Sequence, residues 1–305
     1  SDLKEMKVYV DKDFPRVLEY RMDGKAFRGQ EDKLTEIAVN GENIVPTVKV
    51  DGFTDGDDSI LYNMEVKSET SKIDLAMDVK ISVEGGNLTW EVTKIDKHDG
   101  CPKISTIDVP NLNIVTLMAG EEGSRFDGAG KSTLTTDRVD YKITFDDGFK
   151  PGETDGYLYG FVSTKDLSTG LWSNSEAEGD LRVLRVNGAD TMSLKSAPWY
   201  YETGDRNATA YGAEYPTSDL PCLKVALAAD RNDDKKVDWQ DGAIAFRSIM
   251  NIPQGSDAIK ELVNYRIVMN FESEASNPFL KTADNVRKVY LATDGLGQAL
   301  LLKGY

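Results

Sequence analysis

Residues 73–92 read IDLAMDVKISVEGGNLTWEV, and their spacing decides the fold. Apolar side chains fall on every second residue, Ile73, Leu75, Met77, Val79, Ile81 and Val83, before the turn residues EGGN, and again at Leu88, Trp90 and Val92. A period of two places these side chains on one face of an extended chain, so the stretch predicts a long β-hairpin with one buried face. Similar alternating or apolar runs, punctuated by Gly, Asp and Asn, occur in KVYV (7–10), RVLEYRM (16–22), NIVPTVKV (43–50), SILYNMEV (59–66), DYKITF (140–145), GYLYGFV (156–162) and LRVLRV (181–186). Many strands and no convincing helix predict a large antiparallel β-sandwich over residues 1–215.

The pattern changes near Pro221. The run LKVALAA (223–229) is apolar but for Lys224 and of strand length, as expected of a strand covered on both faces in a parallel sheet. Helical spacing follows at Ala243, Ile244, Phe246, Ile249 and Met250, then at Ala258, Ile259, Leu262, Val263, Ile267 and Phe271, with Ser256 and Asp257 as cap and first-turn charge of the second helix. VYLAT (289–293) reads as a short strand ending at Asp294, and ALLLKGY (299–305) as another. Strand, helix and strand over residues 216–305 predict the first βα elements of a barrel. A closed (β/α)8 barrel takes roughly 250 residues, so the expectation is a truncated one, and the chain a piece of a longer protein.

Composition narrows the function. The 305 residues carry 36 Lys plus Arg against 52 Asp plus Glu, a formal net charge of −16 that repels phosphate backbones and anionic membrane surfaces. Nucleic acid is therefore not an expected partner. No apolar run reaches the roughly 18 residues of a membrane span, and the opening SDLKEMKVYVD lacks the layout of a signal peptide. Cys101 and Cys222 lie too far apart in sequence for a metal cluster or disulfide framework, and read as free, mostly buried thiols. The single histidine, His98, leaves little room for histidine-based catalysis and reads as a surface residue.

Chemistry concentrates in DRNDDKKVDWQD, residues 230–241, which holds five aspartates and one asparagine. With Asp230 as the first position, side-chain oxygens fall on Asp230, Asn232, Asp234, Asp238 and Asp241, and Lys236 offers its backbone carbonyl at the seventh. That is the ligand order of an EF-hand-type loop, in which a hard cation such as Ca2+ takes six to eight oxygens. Two positions depart from the pattern: Lys235 stands where the turn wants glycine, at a cost of about 1 kcal/mol if held left-handed, and Asp241 stands where glutamate is usual. A solvated acidic turn is the alternative. Placed after an apolar strand, such an ion is structural rather than catalytic.

Other features carry less. FDGAGKST (126–133) lacks the glycine a phosphate-binding loop needs, because that position is Arg125, and it reads as a glycine-rich hairpin connection. Trp172 and the trio Trp199, Tyr200 and Tyr201 suit either sugar stacking or the core. Asp294 reads as one carboxylate at a strand end, whereas glycoside hydrolysis needs two.

The motifs LKVALAADRNDDKKVDWQDGAIAFRSIMN (223–251), IKELVNYRIVMNF (259–271), SNPFL (276–280) and TDGLGQALLLKGY (293–305) resemble glycoside hydrolase family 101, the endo-α-N-acetylgalactosaminidases. VYVDKDFPRVLEYRMDGKAFRG (8–29) resembles the start of that family's galactose mutarotase-like sandwich. The resemblance implies a mutarotase-like sandwich followed by a (β/α)8 catalytic barrel, and release of Gal-β1,3-GalNAc from Ser or Thr of mucin-type O-glycoproteins by a retaining mechanism. It also implies a calcium held by Asp230, Asn232, Asp234, the Lys236 carbonyl and Asp241, with catalytic carboxylates beyond residue 305 and none in this chain. The expectations are an inactive, monomeric portion of a secreted or bacterial cell-surface enzyme whose partner is O-glycan or glycoprotein carbohydrate. A non-catalytic, calcium-dependent carbohydrate-binding or adhesin module is the alternative, and glycan binding by residues 1–215 alone would favour it.

Overall fold

The computed structural model describes residues 6–130, 139–147, 152–175, 182–187, 189–202, 219–250, 261–270 and 275–304. It divides into two compact units, residues 1–250 and 251–305.

The first unit is almost entirely β. Its opening strands are β1 (Met6–Val10), β2 (Val17–Met22), β3 (Lys25–Arg28), β4 (Ile37–Val39), β5 (Glu42–Ile44), β6 (Thr47–Val50) and β7 (Ser59–Lys67). Next come β8 (Asp74–Glu84), β9 (Asn87–Lys97), β10 (Thr106–Asp108), β11 (Val115–Met118), β12 (Arg125–Gly130), β13 (Val139–Ile143) and β14 (Gly152–Ser163). The last are β15 (Ser168–Ser173), β16 (Arg182–Asn187), β17 (Thr191–Ser196), β18 (Trp199–Tyr200) and β19 (Cys222–Ala228). The hairpin expected from residues 73–92 is β8–β9: Glu84 pairs with Asn87 across a two-residue turn, and Gly85 takes the left-handed φ of 59° that such a turn favours. Alternate residues of β7, β8 and β9 are buried, as the period of two requires.

These strands make one antiparallel sheet in the order β1-β2-β3-β11-β17-β16-β14-β15-β19-β9-β8-β7-β6, with β12 and β13 branching from β14. A four-stranded sheet, β18-β10-β4-β5, packs into the same core. The long sheet curls so that its distant parts face each other. Trp90 Nε1 of β9 donates to the Pro15 carbonyl at 3.0 Å, and the Tyr62 hydroxyl of β7 donates to the Asp11 carbonyl at 2.6 Å. Both bonds satisfy polar groups that burial takes from water, as close-packed cores require. Trp199 of β18 stacks on Trp90 with ring centroids 5.9 Å apart, so this member of the aromatic trio is core.

One expectation is corrected by β19. It lies between β15 and β9 and pairs antiparallel with both, so LKVALAA is a sandwich strand rather than a parallel barrel strand. The apolar run does report two covered faces. Leu223, Val225 and Leu227 enter the main core, while Ala226 and Ala228 lie under a helix, α1 (Trp239–Phe246), with Ala245, Phe246 and Ile249. The helix approaches closely because Gly242 has no side chain: a Cβ there would meet Ser168 Oγ at 2.6 Å. Covering by a helix produces the same sequence pattern as a parallel sheet.

The second unit is β20 (Val263–Val268), α2 (Phe279–Ala292) and β21 (Gln298–Lys303), with the two strands parallel from Val263↔Gln298 to Val268↔Lys303. Strand, helix and strand are present, and the strand expected in ALLLKGY is β21, but the first strand and the helix are not where the sequence placed them. Val263–Val268, expected as helix, is strand, since VNYRIV is rich in β-branched residues and its apolar positions fit either period. VYLAT, expected as a strand, supplies the last turn of α2, because FLKTADNVRKVYLA keeps helical spacing from Phe279 onward. Residues 251–260, where the expected helix and its cap began, lie outside the described residues.

Candidate metal centre and adjoining cleft

The acidic stretch is the loop joining β19 to α1. Asp238 is the N-cap of α1: its Oδ1 accepts from the Gln240 amide at 2.8 Å, and the Asp241 side chain returns a bond to the Asp238 amide at 2.9 Å, a capping box. Asp241 is buried, 1% exposed, and its other oxygen accepts from the Arg231 amide at 2.6 Å. The carboxylate expected to close a cation loop thus ties the start of the loop to the start of the helix.

Asp230 organises the rest. Its oxygens accept from the amides of Asp233, at 2.7 Å, and Lys235, at 2.8 Å. Asn232 Oδ1 accepts from the Asp234 amide at 3.2 Å, and Asp234 Oδ1 from the Lys236 amide at 2.9 Å. Lys235 has φ 67° and Asp233 φ 62°, so the sixth position takes the left-handed turn that the spacing calls for even without glycine.

The donor set suits a hard cation in its chemistry and in the course of its backbone. Its carboxylates, however, are turned to backbone amides. Among the described residues the three-membered His/Cys/Asp/Glu group with ligand atoms within 4.8 Å of one another is Glu65, Asp74 and His98, not a set from this loop. That group is a surface ion-pair cluster: His98 Nδ1 lies 2.6 Å from Asp74 Oδ1, and Lys67 Nζ lies 3.4 Å from the same oxygen. The hydrogen bond with His98 holds the Asp74 carboxyl below its usual range. His98 is exposed, in keeping with the sequence reading.

The remaining sequence features resolve simply. Residues 126–130 of FDGAGKST are strand β12, extended against β13 and β14, and residues 131–133 lie outside the described residues. Trp172 in β15 has the Lys224 ammonium over its ring at 5.2 Å, so one face is already engaged. Asp294 does not end a strand: it follows α2 with a left-handed φ of 52°. Both cysteines are free and half-buried, and burial pushes the Cys222 thiol up to about 11.

Beside the loop, within the first unit, a cleft of about 540 Å³ opens between α1 and strands β12, β13 and β14. Phe246 is buried in it, edge-on to Tyr159 with centroids 6.2 Å apart and to Phe161 at 5.8 Å. Trp239 and Tyr159 are partly exposed, at 39% and 43%. Asp127 is buried, with its carboxylate gripped by the Arg125 guanidinium, the Nε bond being 2.6 Å. None of these residues stood out in the sequence as a site. The available signal was the helical spacing of Trp239, Ala243, Phe246, Arg247 and Met250, one face of α1 and its extension, which line the cleft.

Comparison with known proteins also divides the chain in two, at residue 239, within the first unit and at the start of α1. Residues 2–239 match the galactose mutarotase-like fold domain family, and residues 240–305 the endo-alpha-N-acetylgalactosaminidase family. A putative endo-alpha-N-acetylgalactosaminidase of Renibacterium salmoninarum is 30% identical over 98% of this chain, which spans 20% of that protein's length. Two solved structures of the alpha-N-acetylgalactosaminidase from Bifidobacterium bifidum, complexes with GalNAc and with Gal-NHAc-DNJ, align over 99% of this chain, each with TM-score 0.51. Their identities are 9% and 10%, and the alignments cover 51% and 50% of those chains, so they show a shared fold. The chain therefore belongs to the galactose mutarotase-like fold domain family, whose model takes in residues 2–239, and its last 66 residues are similar to the endo-alpha-N-acetylgalactosaminidases.

Proposed function

We propose that this chain is the mutarotase-like sandwich and the first strand–helix–strand of the catalytic barrel of a retaining endo-α-N-acetylgalactosaminidase. The enzyme releases Gal-β1,3-GalNAc from Ser or Thr of mucin-type O-glycoproteins, outside the cell or at a bacterial surface, and its sandwich portion is monomeric. The observation that carries this reading is the direct succession of the two families at the acidic loop, residue 239 to residue 240.

Physical features of the second unit support it. A parallel β–α–β needs partners on both faces, and Leu280, Leu291 and Leu301 stand 88%, 66% and 63% exposed. In barrels the working residues come from the C-terminal ends of strands. Among the described residues no carboxylate stands directly after β20, where Met269 and Asn270 follow, or after β21, where Gly304 follows. Retaining hydrolysis needs a nucleophile and an acid/base about 5 Å apart. In this reading that pair comes from elsewhere in the enzyme, and no catalytic role falls on residues 1–305.

The loop holds Ca2+ in this reading, with Asp230, Asn232, Asp234, the Lys236 carbonyl and Asp241 as the donors. Bound there, an ion would neutralise the clustered carboxylates and would fasten β19 to α1. Asp230 and Asp234 would hold the ion beside the loop amides they accept from, and Asp241 would do so beside the Arg231 and Asp238 amides.

Assay of this chain and its Renibacterium relative on the p-nitrophenyl α-glycoside of Gal-β1,3-GalNAc tests the proposal. The relative is expected to release the disaccharide with its anomeric configuration retained, and residues 1–305 to release none. Release by residues 1–305 would refute the placement of the catalytic pair, and an inert relative would refute the substrate.

A further inference from the structure

The cleft beside α1 has no part in that reading, yet it is built like a binding site. Its volume of about 540 Å³ lies within the range of ordinary small-ligand sites, about 300–1,000 Å³. Phe246 closes it from within, while Trp239 and Tyr159 keep part of their rings open to solvent. Aromatic faces left open at the mouth of a cleft suit the C–H faces of a pyranose ring.

The charges are more specific. Lys142 stands opposite Asp127 in the β12–β13 ladder, but the Asp127 carboxylate is already taken by Arg125. Lys142 and Arg247 both line the cleft and are exposed, and the described residues give neither an ion-pair partner. Acidic side chains are in excess in a chain of net charge −16, so two cations beside one cleft with no ion-pair partner among the described residues are not what its composition would place there by default. At the start of α1, the Asp238 carboxylate is engaged in capping the helix.

We propose that the cleft binds an anionic saccharide, a pyranose bearing a carboxylate or a sulfate, with Trp239 and Tyr159 against the ring and Lys142 and Arg247 against the charge. Trp239 is the first residue of α1, and Asp238 and Asp241 fix the start of that helix, so the aromatic wall takes its position from the acidic loop. The site lies wholly within residues 1–250 and is independent of hydrolysis, so the chain can fail to cleave glycans and still bind one.

Calorimetric titration of residues 1–305 with sialyllactose, galactose-6-sulfate and lactose tests this. Saturable binding of one or both anionic sugars is expected, at least about tenfold tighter than lactose, because the neutral sugar forfeits the charge-assisted bonds. The carboxylate and sulfate arms identify which anion the site takes. Trp239→Ala is expected to weaken binding by about tenfold. Lys142→Ala and Arg247→Ala, at exposed positions that leave the melting temperature unchanged, are each expected to do the same. The proposal is overturned if neither anion saturates the protein at millimolar concentration, if lactose binds as tightly, or if the two cation variants bind like the parent.

Discussion

The two units make opposite use of apolar residues. In the sandwich, Trp90, Tyr20, Tyr62, Phe14, Phe27 and Phe126 are almost fully buried, and the main strands feed one continuous core. In the β20–α2–β21 unit the described buried residues are Met269 and Thr282, while Phe279, Leu280, Leu291 and Leu301 are largely exposed. Local pattern sets an element's type in both. Among the described residues, those elements also cover one another far more in the first unit, and it is coverage that converts apolar side chains into stability, at about 25 cal/mol per Å².

The largest expected effect contrasts one tryptophan with one leucine. Trp90→Ala removes a ring that stacks on Trp199 and bonds to Pro15, and is expected to cost about 3–5 kcal/mol in urea unfolding. Leu301→Ala removes a side chain that is 63% exposed, and is expected to change stability by no more than about 0.5 kcal/mol. Equal costs would break the contrast and give the second unit a core of its own. Hydrogen exchange sharpens the same point. Amides of the β8–β9 hairpin are expected to exchange only through global unfolding, and those of β20 and β21 much sooner, by local opening. Matching protection would contradict it.

A smaller effect is expected at the joint. Asp241→Ala frees the Arg231 and Asp238 amides from their shared acceptor, and an uncapped helix start costs about 1–2 kcal/mol in thermal or urea melts. No loss on that substitution would mean α1 is held by its contacts with the sheet alone. The smallest effect concerns Cys222, whose thiol burial lifts from 9.0 to about 11. Its stabilising contribution is present below pH 9 and is lost as pH rises toward 11, because the unfolded chain ionises first. In the folded protein at pH 8, iodoacetamide is expected to modify it roughly 100-fold more slowly than in urea.

Much of the sandwich was legible because its information is local. The alternation over residues 73–92 names the buried face, and EGGN names the turn, with no long-range knowledge required. LKVALAA was legible as a two-faced strand but not as an antiparallel one, since the pattern records coverage and not the identity of the cover. In VNYRIV and VYLAT a few apolar residues fit both periods, and the surrounding length of regular spacing decided between them. The loop was legible down to the strained turn at Lys235, because spacing of oxygens is a sequence property. The cleft was not, because Asp127, Lys142 and Tyr159 meet Trp239 only after the sheet branches at β14 and α1 folds back over it.

Whether residues 230–241 form a cation-held joint is read most directly from melting of EDTA-treated protein titrated with CaCl2, alongside an Asp230→Ala, Asp234→Ala double variant. A saturable rise in melting temperature is expected for the parent chain and none for the variant, as binding to the folded state requires. Identical melting of the parent in EDTA and in millimolar Ca2+ would contradict the joint and leave the stretch a solvated acidic turn.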